Sequence, residues 1–190
     1  MSSSYVLDYS SFKYLLMDIT EEAFPDIWKI INDKCRNNMI FSDREALKLL
    51  QKNLIDDENL QWVESNKDIF RQINGQEAEI LGEFVSRGLF LEMSSVKRSI
   101  IENSPVSVPF LVAVSKNTRS VLVIYKHNPE YDVIKRIAEE ADIKCISTSE
   151  FLAEIRGLKN DSEQQNRFRI YVRTGHSFSP LTLSASSFIM

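Results

Sequence analysis

The sequence predicts a three-layer α/β/α fold built on a central, mainly parallel sheet. Short apolar runs (Tyr5-Val6-Leu7, Met39-Ile40-Phe41, Ser120-Val121-Leu122-Val123-Ile124-Tyr125 and Ile143-Lys144-Cys145-Ile146-Ser147) alternate with longer segments of helical periodicity, the order of repeated strand–helix–strand units with right-handed crossovers. The strongest of these runs, ending at Tyr125, is β-branched and apolar throughout, as a strand covered on both faces should be. The 190 residues, 43% hydrophobic and 26% charged, suffice for one domain with a sizeable core and exclude a fibrous or globally disordered chain.

Each element has a local reason. Tyr5, Val6 and Leu7 form the first strand, and Asp8 stands at its carboxyl end, a place for an N-cap or a functional acid. Ser10 or Ser11 can cap a short helix through Phe12, Leu15 and Leu16. A second helix carries Ile19, Ala23, Ile27, Trp28 and Ile31 on one face, with Pro25 in its first turn. After Met39-Ile40-Phe41, Ser42-Asp43-Arg44-Glu45 has the form of a capping box opening residues 46–53. Residues 57–72 read as one helix, Asn74-Gly75 breaks it, and a further helix ends near Gly88.

Residues 94–108 read as a connecting loop with a helical turn, the lip of a cleft. Pro109-Phe110-Leu111-Val112-Ala113-Val114-Ser115 is apolar almost all round and should be a buried helix. Beyond the strong strand, residues 131–141 form a helix, then a last core strand, then a helix over 150–156 capped by Ser149 and closed by Gly157. The α/β domain should span residues 1–158. Residues 159–190 read as a C-terminal arm, whose Arg167, Arg169 and Arg173 alternate with Phe168, Ile170 and Val172. That arm could add to a sheet edge, contact single-stranded nucleic acid through its arginines and the rings of Phe168 and Tyr171, or join a second copy of the chain.

The net charge of −4 removes the simple electrostatic case for a nucleic-acid binder and leaves room only for a local basic groove. Cys35 and Cys145 have neither zinc spacing nor a disulfide framework and read as reduced thiols of a cytoplasmic protein. No basic segment followed by an apolar core opens the chain, and no apolar run reaches the roughly 18 residues of a membrane span, so no membrane partner is expected.

Five glycines form no phosphate-cradling loop, no Gly-x-Ser-x-Gly elbow is present, and His127 and His176 lack triad or metal spacing. His127 follows the strong strand as a solvated turn histidine. What remains is acid chemistry at strand ends, where carboxylates from separate strands can converge on magnesium or manganese.

The ordered set Tyr5-Val6-Leu7-Asp8-Tyr9-Ser10-Ser11, Phe24-Pro25-Asp26-Ile27-Trp28, Phe41-Ser42-Asp43-Arg44-Glu45, Leu60-Gln61-Trp62-Val63, Asp68-Ile69-Phe70, Pro109-Phe110-Leu111-Val112-Ala113 and Ile143-Lys144-Cys145-Ile146 resembles a PIN domain. This is the metal-dependent ribonuclease fold of many bacterial toxin–antitoxin pairs, and the likeness is closest to an uncharacterised PIN-like bacterial family. Of the acids that the resemblance implies, the first falls on Asp8. The second falls near Leu49, one turn from Glu45 and after Asp43. The third falls on Val108, and the fourth on Tyr125 or Lys126.

The implied remnant site is Asp8, Asp43 and Glu45, with Asp8 the candidate metal ligand. Glu102, Glu130 and Asp132 are the acids a shifted alignment would add. The resemblance therefore implies a degenerate PIN-like domain that needs no cofactor and acts by binding a partner protein or RNA, in a toxin–antitoxin or defence system. The alternative is a ribonuclease using magnesium or manganese through a rearranged acidic site.

Overall fold

A computed structural model describes residues 3–54, 56–102 and 106–157; the arm over residues 159–190 lies outside them. The chain runs β1 (Tyr5–Leu7), α1 (Tyr9–Asp18), α2 (Pro25–Arg36), β2 (Ile40–Asp43), α3 (Arg44–Asn53), α4 (Asp57–Ser65), β3 (Phe70–Arg71), α5 (Gly75–Ser86), α6 (Ser94–Glu102), α7 (Val108–Thr118), β4 (Val121–Ile124), α8 (Tyr131–Glu140), β5 (Cys145–Ser147) and α9 (Thr148–Ile155). The strands form one parallel five-stranded sheet in the order β3-β2-β1-β4-β5.

Side-chain alternation builds the two outer layers. Tyr5, Leu7, Val121, Val123 and Ile146 face a core shared with α1 to α4 and α9. Val6, Leu122 and Ile124 face the opposite core, made with Phe84 of α5, Leu111 and Val112 of α7, and Ile134 and Ile137 of α8. Both faces of β1 and β4 are thus covered, as their continuous apolar sequences require. Among the described residues no helix is long and apolar enough to cross a membrane.

Local differences from the expected elements have identifiable causes. Asp8, not Ser10 or Ser11, caps α1. Ser42 belongs to β2 and donates to the Leu7 carbonyl at 2.7 Å, so Asp43 caps α3 in its place and the Ser42–Glu45 box does not form. Residues 57–72 are not one helix: α4 ends at Ser65, a single 3₁₀ turn follows, and Phe70–Arg71 pairs with β2 as an edge strand. The segment expected to be a loop from residue 94 contains the helix α6. Ser147 rather than Ser149 caps α9, in a reciprocal box with Glu150. Gly157 closes α9 at φ +69°, a left-handed conformation that glycine adopts without a Cβ clash.

Candidate functional site at the carboxyl edge of the sheet

From β1 the chain moves outward to β2 and β3, then crosses back to place β4 on the other side of β1. The reversal lies between β1 and β4, and in open parallel sheets the crevice outside the carboxyl ends at such a reversal is the usual ligand site. Asp8 follows β1 here, Tyr125-Lys126-His127 follow β4, Asp43 ends β2, and Ser147 ends β5.

Asp8 is 2% exposed, and its Oδ1 accepts the Ser11 N–H at 2.8 Å. Burial pushes its carboxyl above the ordinary value, opposed by Ser11 and by the main-chain N–H groups of Ser10, Ser11 and Tyr125. The Ser11 hydroxyl in turn shares a hydrogen bond with Thr148 at 2.8 Å and donates to the Val123 carbonyl at 3.3 Å, tying α1 to α9 and β4.

Asp43 is equally buried. Its Oδ1 accepts the Ala46 N–H at 2.7 Å, and the Ser107 hydroxyl, at the start of α7, lies 3.0 and 2.8 Å from the two carboxyl oxygens. Burial pushes this acid up to about 6, against the pull of the Ala46 amide and Ser107 and with a small push from Glu45. Extending the β1–β2 register beyond Val6↔Phe41 sets Asp8 opposite Asp43. Glu45, at the start of α3, is half-buried and pairs with Lys48 at 2.6 Å.

The acids of a shifted alignment do not join this group. The Glu130 side chain accepts the Ser95 N–H at 2.9 Å, Asp132 lies in the first turn of α8, and the Glu102 side chain lies outside the described residues. At the positions of the third and fourth expected acids stand Val108, just after Ser107, and the pair Tyr125-Lys126.

Tyr125 stacks on Tyr14 of α1, with ring centroids 4.9 Å apart and planes at 25°, and meets His127 edge-on at 5.3 Å. The two tyrosines are half-buried, while Lys126 and His127 are exposed. Burial raises both phenols above their ordinary value; each is raised further by Asp18.

A family model described as Domain of unknown function (DUF4411) matches residues 5–157. The chain belongs to the DUF4411 family. No curated protein and no solved structure matches it. The match begins at the first residue of β1 and ends on the glycine that closes α9, so the whole sheet and its carboxyl edge lie within the DUF4411 domain.

A hard divalent ion takes oxygen ligands from several converging carboxylates. The DUF4411 edge does not fit that requirement. Its two buried acids are occupied by N–H and O–H donors aimed at their oxygens, and among the described residues no three His, Cys, Asp or Glu side chains gather as ligands. No chemical step through a metal follows from this donor set. What the edge offers is a row of rings beside an exposed lysine, over a rigid base of capped helices.

Sequence reasoning brought Asp8 and Asp43 to this edge but missed Ser107, Tyr14 and the stacking of Tyr125 on it. Tyr125 could have been found as the polar end of the strongest strand. Ser107 lies 64 residues from Asp43 in the chain, and no local pattern links them.

A separate open cleft of about 1000 Å³ lies at the opposite, amino edge, among Arg87, Lys116, Arg119, Glu83, Glu140 and Asp142. Arg87 pairs with Glu83 and Lys116 with Asp142. Its position at the C-terminal ends of α5, α7 and α8 gives these cations a structural task, to offset the helix dipoles.

Proposed function

We propose that this DUF4411 protein is a degenerate PIN-like domain that acts in the cytoplasm by binding RNA without cleaving it. The observation that carries the reading is the changed chemistry at one edge. Asp8, on which the first catalytic position falls, and Asp43, which precedes the second at about Leu49, are tied up as buried helix caps, and an aromatic residue and a lysine follow β4 where the resemblance sets the last acid. The parallel sheet and the order of the matching segments agree with that resemblance. A role in a toxin–antitoxin or defence system comes from the resemblance alone.

A partner protein is the second reading, favoured by a specific observation. Leu91 and Ile101, at 71% and 83% exposed, offer large apolar side chains to solvent on the α6 side of the domain.

The test is a binding and cleavage assay on a mixture of single-stranded and structured RNA, with magnesium or manganese, against EDTA and Asp8→Asn controls. Expected is binding whose affinity falls steeply with salt and intact RNA in every lane. Cleavage abolished by both EDTA and Asp8→Asn would replace this reading with the metal-dependent ribonuclease. Absent or salt-insensitive binding would leave the protein partner in its place.

A further inference from the structure

We infer that Tyr14, Tyr125 and His127 form a stacking platform for the unpaired bases of single-stranded RNA, with Lys126 placed for the adjoining phosphate. This rests on the RNA-binding reading and names the side chains that would carry it. The three rings form a continuous series, face-to-face at 4.9 Å and then edge-on at 5.3 Å. The series leads outward from the half-buried tyrosines to the exposed His127.

The placement is also the right one. The rings stand at the reversal between β1 and β4, on α1 and on the loop after β4, two supports pinned by the Ser11–Thr148 and Ser11–Val123 hydrogen bonds. Lys126 and Lys135 both act on Glu150, and Asp18 acts on the two tyrosines. With charge of both signs nearby, electrostatics alone is a weak holdfast. Stacking is the stronger contribution, and it is available only to unpaired bases.

The experiment is fluorescence anisotropy with a labelled oligouridylate and the same strand in duplex form, using the full chain. Tyr125→Ala should weaken single-strand binding by about tenfold or more, Tyr125→Phe should stay within about twofold, and the duplex should bind far more weakly than the single strand. Lys126→Gln should lower the slope of log affinity against log salt by about one. His127→Ala, at an exposed position, is the variant that keeps the test open if Tyr125→Ala does not fold, and it should also weaken binding. Unchanged affinity in a folded Tyr125→Ala or in His127→Ala, with the wild-type protein binding, overturns the platform and leaves RNA binding at another surface. No binding by the wild-type protein removes both the platform and the RNA reading.

Discussion

Two buried carboxylates in this domain are held in opposite ways. Glu77, in the first turn of α5, is fully buried and receives the Arg71 guanidinium on both oxygens at 2.7 and 3.1 Å, the Asn74 N–H at 2.9 Å and the Asn117 amide at 3.2 Å. Burial alone would raise its pKa, but Arg71, Asn74 and Asn117 outweigh it and the group titrates below its ordinary value. Asp43, at the carboxyl edge, has neutral donors, the Ala46 and Glu45 main-chain amides and the Ser107 hydroxyl, and its pKa goes up to about 6. Where the fold needs a fixed negative charge it supplies an arginine. Where the PIN resemblance would set a metal-binding acid, it supplies a hydroxyl and main-chain amides, which accommodate a protonated acid far better than they would a cation.

The largest effect should come from breaking the charged side of this comparison. Glu77→Ala strands the Arg71 guanidinium, which is only 30% exposed and lies over the Phe41 ring, and also removes the reciprocal cap of α5. Removing one partner of a buried pair costs on the order of 3–5 kcal/mol. Urea denaturation should show that loss, and the double variant Arg71→Met/Glu77→Leu should recover much of it. A loss below about 1 kcal/mol in the single variant would mean that Arg71 finds water as readily as it finds Glu77.

The next effect sharpens the contrast through pH. For Glu77, whose folded pKa is depressed, the stabilisation is present above the ordinary value and is lost as pH falls through the folded one. For Asp43 the sign reverses. The folded protein binds its proton more tightly than the unfolded chain, so this group's share of stability falls as pH rises from the ordinary 3.8 to about 6. The interval corresponds to on the order of 3 kcal/mol. Asn keeps the N-cap acceptor but does not titrate. The stability of Asp43→Asn relative to wild type should therefore improve steadily from pH 4 to pH 7, and a flat difference across that range would show that Asp43 is not raised.

These two acids also show what could be read from the chain. Asp8 was legible as a strand-end acid because it closes an apolar run, Asp43 was reached through the PIN resemblance, and the Asn74-Gly75 break was legible as a helix start. The cap at Asp43 was misassigned to Ser42 because both residues suit that task; only the pairing of β2 with β1, which turns Ser42 toward the Leu7 carbonyl, decides between them. Strand β3 was not legible. Phe70–Arg71 is too short to show alternation and continues the helical spacing of α4, and its identity comes from the neighbouring β2. With β3 hidden, nothing in the sequence pattern joined Arg71 to Glu77 as a buried clamp. The rings at the carboxyl edge were hidden for a similar reason, since Tyr14 and Tyr125 are 111 positions apart and meet only when α1 packs beside β4.

The smallest effect tests what neutral donors do for Asp43. Ser107→Ala removes the hydroxyl near both carboxyl oxygens but leaves the Ala46 amide and the cap of α3 in place. A hydrogen bond to an ionised group is worth about 1.5–3 kcal/mol, and one between neutral groups about 1 kcal/mol. The variant should therefore lose more stability at pH 8, where Asp43 is ionised, than at pH 4.5, where it is mostly protonated. Because Ser107 lowers the Asp43 pKa, its removal should raise that pKa above 6, as read by carboxyl chemical shifts across a pH titration. An equal loss at both pH values, with no change in the titration, would mean that Ser107 packs against Asp43 without stabilising its charge. The start of α7 would then be joined to the end of β2 by shape alone.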